Sequence, residues 1–413
     1  MSEPRAVATG SYAQLSQNLY FVSLCLIRSL PLAVLTRLVA TLTFNYTPSQ
    51  WEKGERLKSV FSDCYNDAMP YKYLFFDDYS EGAHPSILEA LARTNLQQEP
   101  GYVMDAFAVQ AAGFIRERFG CPQAEVHFVS SGTQANLAVL SAILKPYESV
   151  IAAESGHINT HEAGAVEATG HKVNTVKGHQ GKVRPAEIQE VVEMHNFDQM
   201  VVPRALYISQ STELGTVYTS AEVTALSEKC KEHGLHLYLD GARLGAALAS
   251  RACDLSPETV AKLVDVFYIG GTKNGALIGE AIVIVNPELQ DHFRYNLRQR
   301  GGLLAKGRAV SLQFLELFRD NLYFEIARHA NDLAEQLEAG IRECGYQILV
   351  EAPTNQVFPI FPNPVIERLQ QEYGFHVWEK FDAQSSVIRL VTSWATRENA
   401  VSEFLSTLRT CVQ

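Results

Sequence analysis

Short apolar runs alternate with helical stretches from Val126 to Gly270, and this alternation constrains the fold more than any other feature. Val126–Ser130 (VHFVS), Ser149–Ala153, Lys172–Lys177, Ala205–Gln210 (ALYISQ), Leu235–Asp240 (LHLYLD) and Val266–Gly270 (VFYIG) read as strands. Between them Gly132–Lys145, Asn159–Thr169, Pro185–His195 and Ser220–His233 read as helices. Proline opens the third helix, where its missing N–H costs nothing, and a Ser cap opens the fourth. Runs this apolar need cover on both faces, so the pattern predicts an α/β domain with a largely parallel sheet between helices.

After Asn286 the pattern changes. Leu289–Gly301, Ala309–Arg319 and Leu322–Cys344 are helical by period. Shorter segments follow at Tyr346–Val350, Val357–Phe361, Val365–Tyr373, Phe375–Trp378 and Val387–Val391, with a last helix from Arg397. This reads as a smaller α+β C-terminal domain. The 413 residues suit two or three domains at roughly 150 residues each. The expected division is an N-terminal extension over 1–73, a large domain over 74–300 and a small one over 301–413.

The extension is apolar and has no acidic residue between Glu3 and Glu52. Arg28, Pro31 and Arg37 interrupt its apolar run, which argues against a membrane span. A transit segment fits its Ser, Thr and Arg content; an extra apolar helix, or a leader ahead of a start near Met69, fits as well. The cytoplasm is the expected compartment, and the mitochondrion if the segment is a transit signal. A net charge of -11 argues against a nucleic-acid partner. The seven scattered cysteines contain no C-x-x-C pair, which fits a reducing compartment. The twelve histidines show no H-E-x-x-H spacing, so no metal is expected.

Three motifs carry chemistry. Ser131-Gly132-Thr133 follows a strand and opens a helix, where free amides and the dipole end suit a phosphate. Alone it could equally be a capped helix. Asp240, in LDGAR, ends an apolar strand, where open α/β sheets bind ligands. Its carboxylate could pair with a protonated ring nitrogen or cap the next helix. Lys273, in GGTKNG, follows a buried strand among glycines; partial desolvation there would expose a nucleophilic amine. Phosphate cup, carboxylate and lysine, in that order, are the three contacts pyridoxal 5′-phosphate needs.

From about Met69 onward the chain resembles the threonine aldolase branch of the β-eliminating lyase family. The resemblance is carried by SSGTQANL, SGHINTHEAGA, SQSTELGTVY, LDGARL, GGTKNG, GEAIV and IRLVTSW. It implies the aminotransferase-like type I fold with a mostly parallel seven-stranded sheet, pyridoxal phosphate as cofactor, and a small amino acid as substrate. The implied reaction cleaves a β-hydroxy-α-amino acid, such as L-threonine or L-allo-threonine, to glycine and an aldehyde. Another β-eliminating lyase or a racemase is the alternative. By resemblance Lys273 carries the cofactor as a Schiff base, Asp240 pairs with its ring nitrogen, and Gly132 and Thr133 hold its phosphate. His157 stacks on its ring and assists proton removal, Arg243 contacts the cofactor oxygen and the substrate carboxylate, and Arg389 is a second carboxylate-binding arginine. Lys306 and Arg308 resemble residues that reach a neighbouring subunit's phosphate, which implies a homotetramer built from dimers. The family's serine near the start falls on Asp77, with Ser80 as the substitute substrate contact. A second family histidine has its nearest counterpart in His195. Of the family's Y-G-D-D-P, only Tyr102 and Asp105 persist.

Overall fold

The structure, a computed structural model, describes residues 71–411. The readings that fall on residues 1–70, including the apolar run and Cys25 and Cys64, lie outside it.

The chain opens with the short strand β1 (Tyr73–Leu74), then helices α1 (Pro85–Thr94) and α2 (Ala106–Arg118). The alternating unit follows as β2 (Glu125–Val129), α3 (Gly132–Ile143), β3 (Glu148–Ala153), α4 (His157–Thr160), β4 (Lys172–Val176), α5 (Pro185–Met194), β5 (Val202–Ser209), α6 (Ser220–His233), β6 (His236–Asp240), α7 (Leu244–Ala249), α8 (Pro257–Leu263), β7 (Val266–Gly270) and β8 (Glu280–Ile284). These strands form a seven-stranded sheet in the order β2-β8-β7-β6-β5-β3-β4. Strand β8 runs antiparallel to both its neighbours, β2 and β7, and the remaining pairs are parallel. Strands β3, β7 and β8 are buried along their whole length, as expected of a sheet covered on both faces.

Beyond the sheet lie α9 (Phe293–Gln299), α10 (Arg308–Arg319) and α11 (Leu322–Glu343). The second sheet joins β9 (Gln347–Ile348), β10 (Gln356–Val357), β11 (Pro359–Pro362), β13 (His376–Lys380) and β14 (Ser385–Val391). Helix α12 (Asn363–Leu369), strand β12 (Tyr373–Gly374) and helix α13 (Glu398–Thr410) complete it. β1 pairs with β12 in a separate two-stranded sheet, so the described chain starts beside the C-terminal elements before entering the large sheet.

Two cores share α11. Residues Val310–Ile326 pack with the large sheet, whereas Leu333, Leu337 and Ile341 pack with Phe75, Phe404 and the small sheet. Packing therefore changes within α11, later in the chain than the 300/301 division expected from sequence.

Local chemistry explains most boundaries. Ser131 caps α3 by accepting Gln134 N at 3.2 Å. Thr219 and Glu222 form a capping box on α6, and Gly234 ends that helix in the left-handed conformation. Two expectations need correction. The helix expected over Asn159–Thr169 is only the single turn α4, followed by a 3-10 turn at Glu167–Thr169. Ala163 and Gly164 both take positive φ and break it, and Glu162 just before them is drawn into the interior. The helix expected over Leu289–Gly301 begins at Phe293, because His292 adopts φ 57°. Strand β8, which begins within GEAIV and ends at Ile284, has no counterpart among the expected strands.

The ends of β6 and β7 touch without any side chain between them. A Cβ on Gly241 would sit 1.9 Å from the Tyr268 carbonyl oxygen, and one on Gly270 would sit 2.1 Å from that of Ala242. Gly270 N donates to Gly241 O at 2.8 Å. This contact sets the spacing between Asp240 and the Lys273 turn. Gly241→Ala is expected to lower stability by about 2 kcal/mol or more, since a backbone carbonyl cannot move aside. Thermal unfolding of the variant beside the wild type checks this.

Candidate active site

The carboxyl ends of β2, β3, β5, β6 and β7 converge on a cavity of about 350 Å³. Gly132, Thr133, His157, Asp240, Arg243 and Lys273 all line it. These came from distant motifs, and the parallel topology brings them together.

Asp240 is 3% exposed and its carboxylate accepts four donors. Oδ1 accepts Tyr268 Oη at 2.5 Å and Ala242 N at 2.9 Å. Oδ2 accepts Tyr207 Oη at 2.5 Å and Asn136 Nδ2 at 3.2 Å. Burial, then the charge of Asp240, pushes the Tyr207 and Tyr268 phenols well above their ordinary range, so they remain donors. The Asp240 carboxylate is thus anchored before any ligand arrives.

Lys273 follows β7 and its amine has no hydrogen-bond partner among the described residues; the Tyr79 ring centroid lies 6.0 Å away. Burial lowers its pKa, and the Arg243 charge lowers it further, against the opposing pull of Asp78, Asp240 and Glu280. A neutral amine is the nucleophilic form.

His157 heads the turn α4. Its Nδ1 lies 2.7 Å from Glu162 Oε1, and that oxygen also accepts Asn136 Nδ2 at 2.6 Å. Glu162 therefore fixes the ring, and Asn136 joins His157 to Asp240 through one network. Glu213 Oε1 accepts His157 N at 2.9 Å and Ser209 Oγ at 2.7 Å, holding the turn from below.

At the start of α3 the Gly132 and Thr133 amides have no partner among the described residues, as the first amides of a helix do not. Gly132 is required here: a Cβ would lie 2.9 Å from Tyr268 Oη.

The arginines differ from expectation. Arg243 donates Nε to Asp78 Oδ2 at 2.7 Å and its Nη2 to Asp78 Oδ1 at 3.0 Å. That forked edge, expected to face a substrate carboxylate, is occupied by Asp78, which is fully buried and also accepts Asn355 Nδ2 at 2.8 Å. Arg389 is not among the cavity-lining residues. Its Nη2 donates to the Phe76 carbonyl at 3.1 Å, its guanidinium lies 5.1 Å from the Trp378 ring centroid, and its buried Nε has no partner. The neighbouring charge of Arg243 adds to burial in lowering its pKa, so an anion would be welcome between the two.

Several expected residues lie elsewhere. Ser80 is exposed and donates to Asp77 Oδ1 at 2.8 Å; Tyr79 lines the cavity instead. Lys306 and Arg308 line a separate cavity of about 820 Å³. There Arg308 donates to the Gln97 and Thr94 carbonyls of its own chain at 2.5 and 2.6 Å. His195 bonds its own helix at Val191 O, 2.8 Å away, and is not at the site. Sequence reasoning assigned no role to Asp78, Glu162, Glu213 or Glu280, although the three glutamates stand inside the motifs that carry the resemblance and Asp78 adjoins Asp77. Their signal was an acid beside an apolar or glycine-rich run. Among the described residues no cluster of His, Cys, Asp and Glu has metal-binding form, and no helix is long and apolar enough to cross a membrane.

Comparison with known proteins agrees with this geometry. A family profile described as Beta-eliminating lyase matches residues 77–362. A low specificity L-threonine aldolase from a Pseudomonas species is 35% identical over 337 residues, 81% of this chain and 96% of the relative. A solved threonine aldolase of Leishmania major superposes with a TM-score of 0.82 at 44% identity, covering 83% of this chain and 100% of the other. An aspartate aminotransferase of Thermus thermophilus, at 16% identity and a TM-score of 0.64 over 90% of this chain and 98% of its own, shares the fold. Fold and site together define a chain of the aminotransferase-like type I class. Within that class it belongs to the β-eliminating lyase family.

The Asp78–Arg243 pair gives a pH-dependent prediction. Burial opposes ionisation of Asp78, but the charges of Arg243 and Lys273 prevail and hold its carboxyl below the ordinary carboxylate value of 3.8. A lowered folded-state pKa contributes stability that is present above the unfolded value and lost as pH falls through the folded one. Asp78→Asn is expected to cost about 3 kcal/mol at neutral pH, since one buried charge loses its partner. The deficit relative to wild type should shrink below about pH 4. Urea unfolding of both proteins across that range checks it.

Proposed function

We propose that this chain is a pyridoxal phosphate-dependent carbon–carbon lyase that cleaves a β-hydroxy-α-amino acid of the threonine type to glycine and an aldehyde. The observation that carries the reading is the Lys273 amine, half-buried, without a partner among the described residues and depressed in pKa, in one cavity with the anchored Asp240 carboxylate and the start of α3. The donor set fits the cofactor: an amine for its aldehyde, a carboxylate for its ring nitrogen, and free helix amides with Thr133 for its phosphate. When bound, pyridoxal phosphate supplies an electron-withdrawing ring that stabilises negative charge at the amino acid α-carbon.

The chain's own residues do the rest. Asp240, held by four donors, keeps a negative charge where a ring nitrogen would hold its proton. Arg389 and the unforked side of Arg243 receive the substrate carboxylate, which orients the bond to be broken. Asp78 keeps Arg243 in position for this. Glu162 binds His157 at Nδ1, which leaves Nε2 as the acceptor for the proton of the β-hydroxyl. The names of the Pseudomonas and Leishmania relatives support the threonine-type substrate.

We also propose a homotetramer, with Lys306, exposed and without a partner among the described residues, reaching a neighbouring subunit's phosphate. The separation of the small domain, a cytoplasmic location and a place in glycine formation belong to the same proposal. The free cysteines among the described residues support a reducing compartment.

The test is an absorption spectrum of the purified protein with product analysis. Wild type is expected to show a visible imine band that Lys273→Ala abolishes, and to release glycine and an aldehyde in equal amounts from L-allo-threonine. Release of pyruvate and ammonia, or racemised amino acid, would move the chain to another lyase or a racemase. Absence of the band in cofactor-loaded wild type would refute the proposal.

A further inference from the structure

Asn136 is fully buried in α3, in a helix whose other buried residues are alanines, a leucine, a valine and an isoleucine. A side-chain amide in such a place is costly unless both its ends find partners. Its Oδ1 accepts Tyr238 Oη at 2.8 Å, and its Nδ2 donates to Glu162 Oε1 at 2.6 Å and to Asp240 Oδ2 at 3.2 Å. The phenol decides which way the amide faces. With its oxygen turned to Tyr238, both amide hydrogens point at carboxylates.

Helix and strand periods build this contact. Asn136 stands one turn after Gly132, on the same face of α3. Tyr238 stands two residues before Asp240 in β6, so both leave the same face of the sheet. The amide therefore meets a donor and an acceptor from one strand, and Glu162 comes in from the turn after α4. Neither Asn136 nor Glu162 lines the cavity, whereas Asp240 and His157 do. Asn136 thus acts on a ligand only through those two. Glu162 depends on it: Oε1 lies on Asn136 Nδ2 and His157 Nδ1, and the buried Oε2 has no partner among the described residues.

We propose that Asn136 is a positioning residue that holds the Asp240 carboxylate and the Glu162–His157 pair at one fixed spacing, by placing an N–H on each. This rests on the reading of the cavity given above and deepens it: the contact for the ring nitrogen and the acceptor for the β-hydroxyl proton are set by one amide. Two carboxylates on either side of a small buried group repel unless hydrogens stand between them. Asparagine supplies two hydrogens and no charge. Aspartate has the same shape and, when ionised, supplies none.

The titratable groups that face the amide are Glu162, Asp240 and Tyr238. Behind them stand His157 of α4, Tyr207 of β5, Tyr268 of β7, and Glu213 on the backbone of His157. Burial, then the charge of Asp240, raises all three phenols well above their ordinary range, so they remain donors around neutral pH.

Asn136→Asp tests this, because it keeps the shape and the acceptor for Tyr238 and removes both N–H groups. Full-length apoprotein is titrated with pyridoxal phosphate at about pH 6 and about pH 8, between the ordinary carboxyl and phenol ranges. Turnover of L-allo-threonine is measured at saturating cofactor. N136D is expected to bind the cofactor about tenfold more weakly than wild type at the higher pH, the loss of one charge-assisted hydrogen bond. The gap should close at the lower pH, where a proton shared among the three carboxyls replaces the missing N–H. A fall in kcat of about a hundredfold with KM little changed is expected, since His157 is displaced while the carboxylate contacts remain. Tyr238→Phe leaves Asn136 in place but frees the amide to turn; it should weaken cofactor binding by about threefold, and it serves if N136D does not fold. An affinity ratio of N136D to wild type that is the same at both pH values overturns the inference. So do N136D and Y238F that bind cofactor as wild type does, which leaves Asn136 as a packing residue. A wild type that takes up no cofactor overturns the reading of the cavity, and this inference with it.

Discussion

Charge buried at the carboxyl ends of parallel strands has to be balanced by other groups of the protein, because water is not there to do it. Asp78, Asp240 and Glu280, all buried, lie in one region with the half-buried Arg243, Lys273 and Arg389. An unpaired charge in such a place is far more costly than one at the surface. The balance reached is deliberate in its inequality. Asp240 is held by four donors and Asp78 by three, and both stay where they are. Lys273 and the Nε of Arg389 are left without partners, and those are the positions where a ligand would supply what is missing.

That arrangement depends on backbone contacts more than on side chains. Gly241 and Gly270 let the ends of β6 and β7 meet, and Gly132 lets α3 close onto the Tyr268 hydroxyl. Tyr268 in turn donates to Asp240. The sheet spacing, the helix start and the carboxylate are one mechanical assembly. A side chain at any of these glycines would move the carboxylate relative to the lysine. The same logic extends to His157, whose ring is tied through Glu162 and Asn136 to the same carboxylate. Positions contributed by β2, β3, β6 and β7 therefore cannot shift independently.

The C-terminal elements do a different task. The two-stranded pairing of β1 with β12, with Phe75 packed into the small core, delivers the segment Phe76–Tyr79 to the edge of the site. Asp78 then reaches Arg243, and Asn355 and Arg389 come from the small sheet to meet it. The anion site proposed above thus lies where the two cores adjoin, while the amine and the anchored carboxylate belong to the large sheet alone.

Much of this was legible beforehand. Periodicity of apolar residues located β2 to β7 and helices α3, α5 and α6, since burial on both faces leaves a continuous apolar run. The glycines and polar residues after those runs marked Gly132, Asp240 and Lys273, because a parallel sheet offers only its strand ends to a ligand. Other features were hidden. β8 lay unread because its apolar run follows a glycine-rich turn with no helix between. Asp78 could not be told from Asp77, since which of two adjacent acids points inward depends on the pairing of β1 with a strand some three hundred residues away. The forked edge of Arg243 was expected to await a substrate, and only the tertiary contact with Asp78 decided otherwise. Sequence by itself determined the elements and the chemistry at their ends, because those follow from local burial and turn geometry. Tertiary structure alone decided which charges pair and which are left free, because electrostatic partnership is set by distance in space and not by order along the chain.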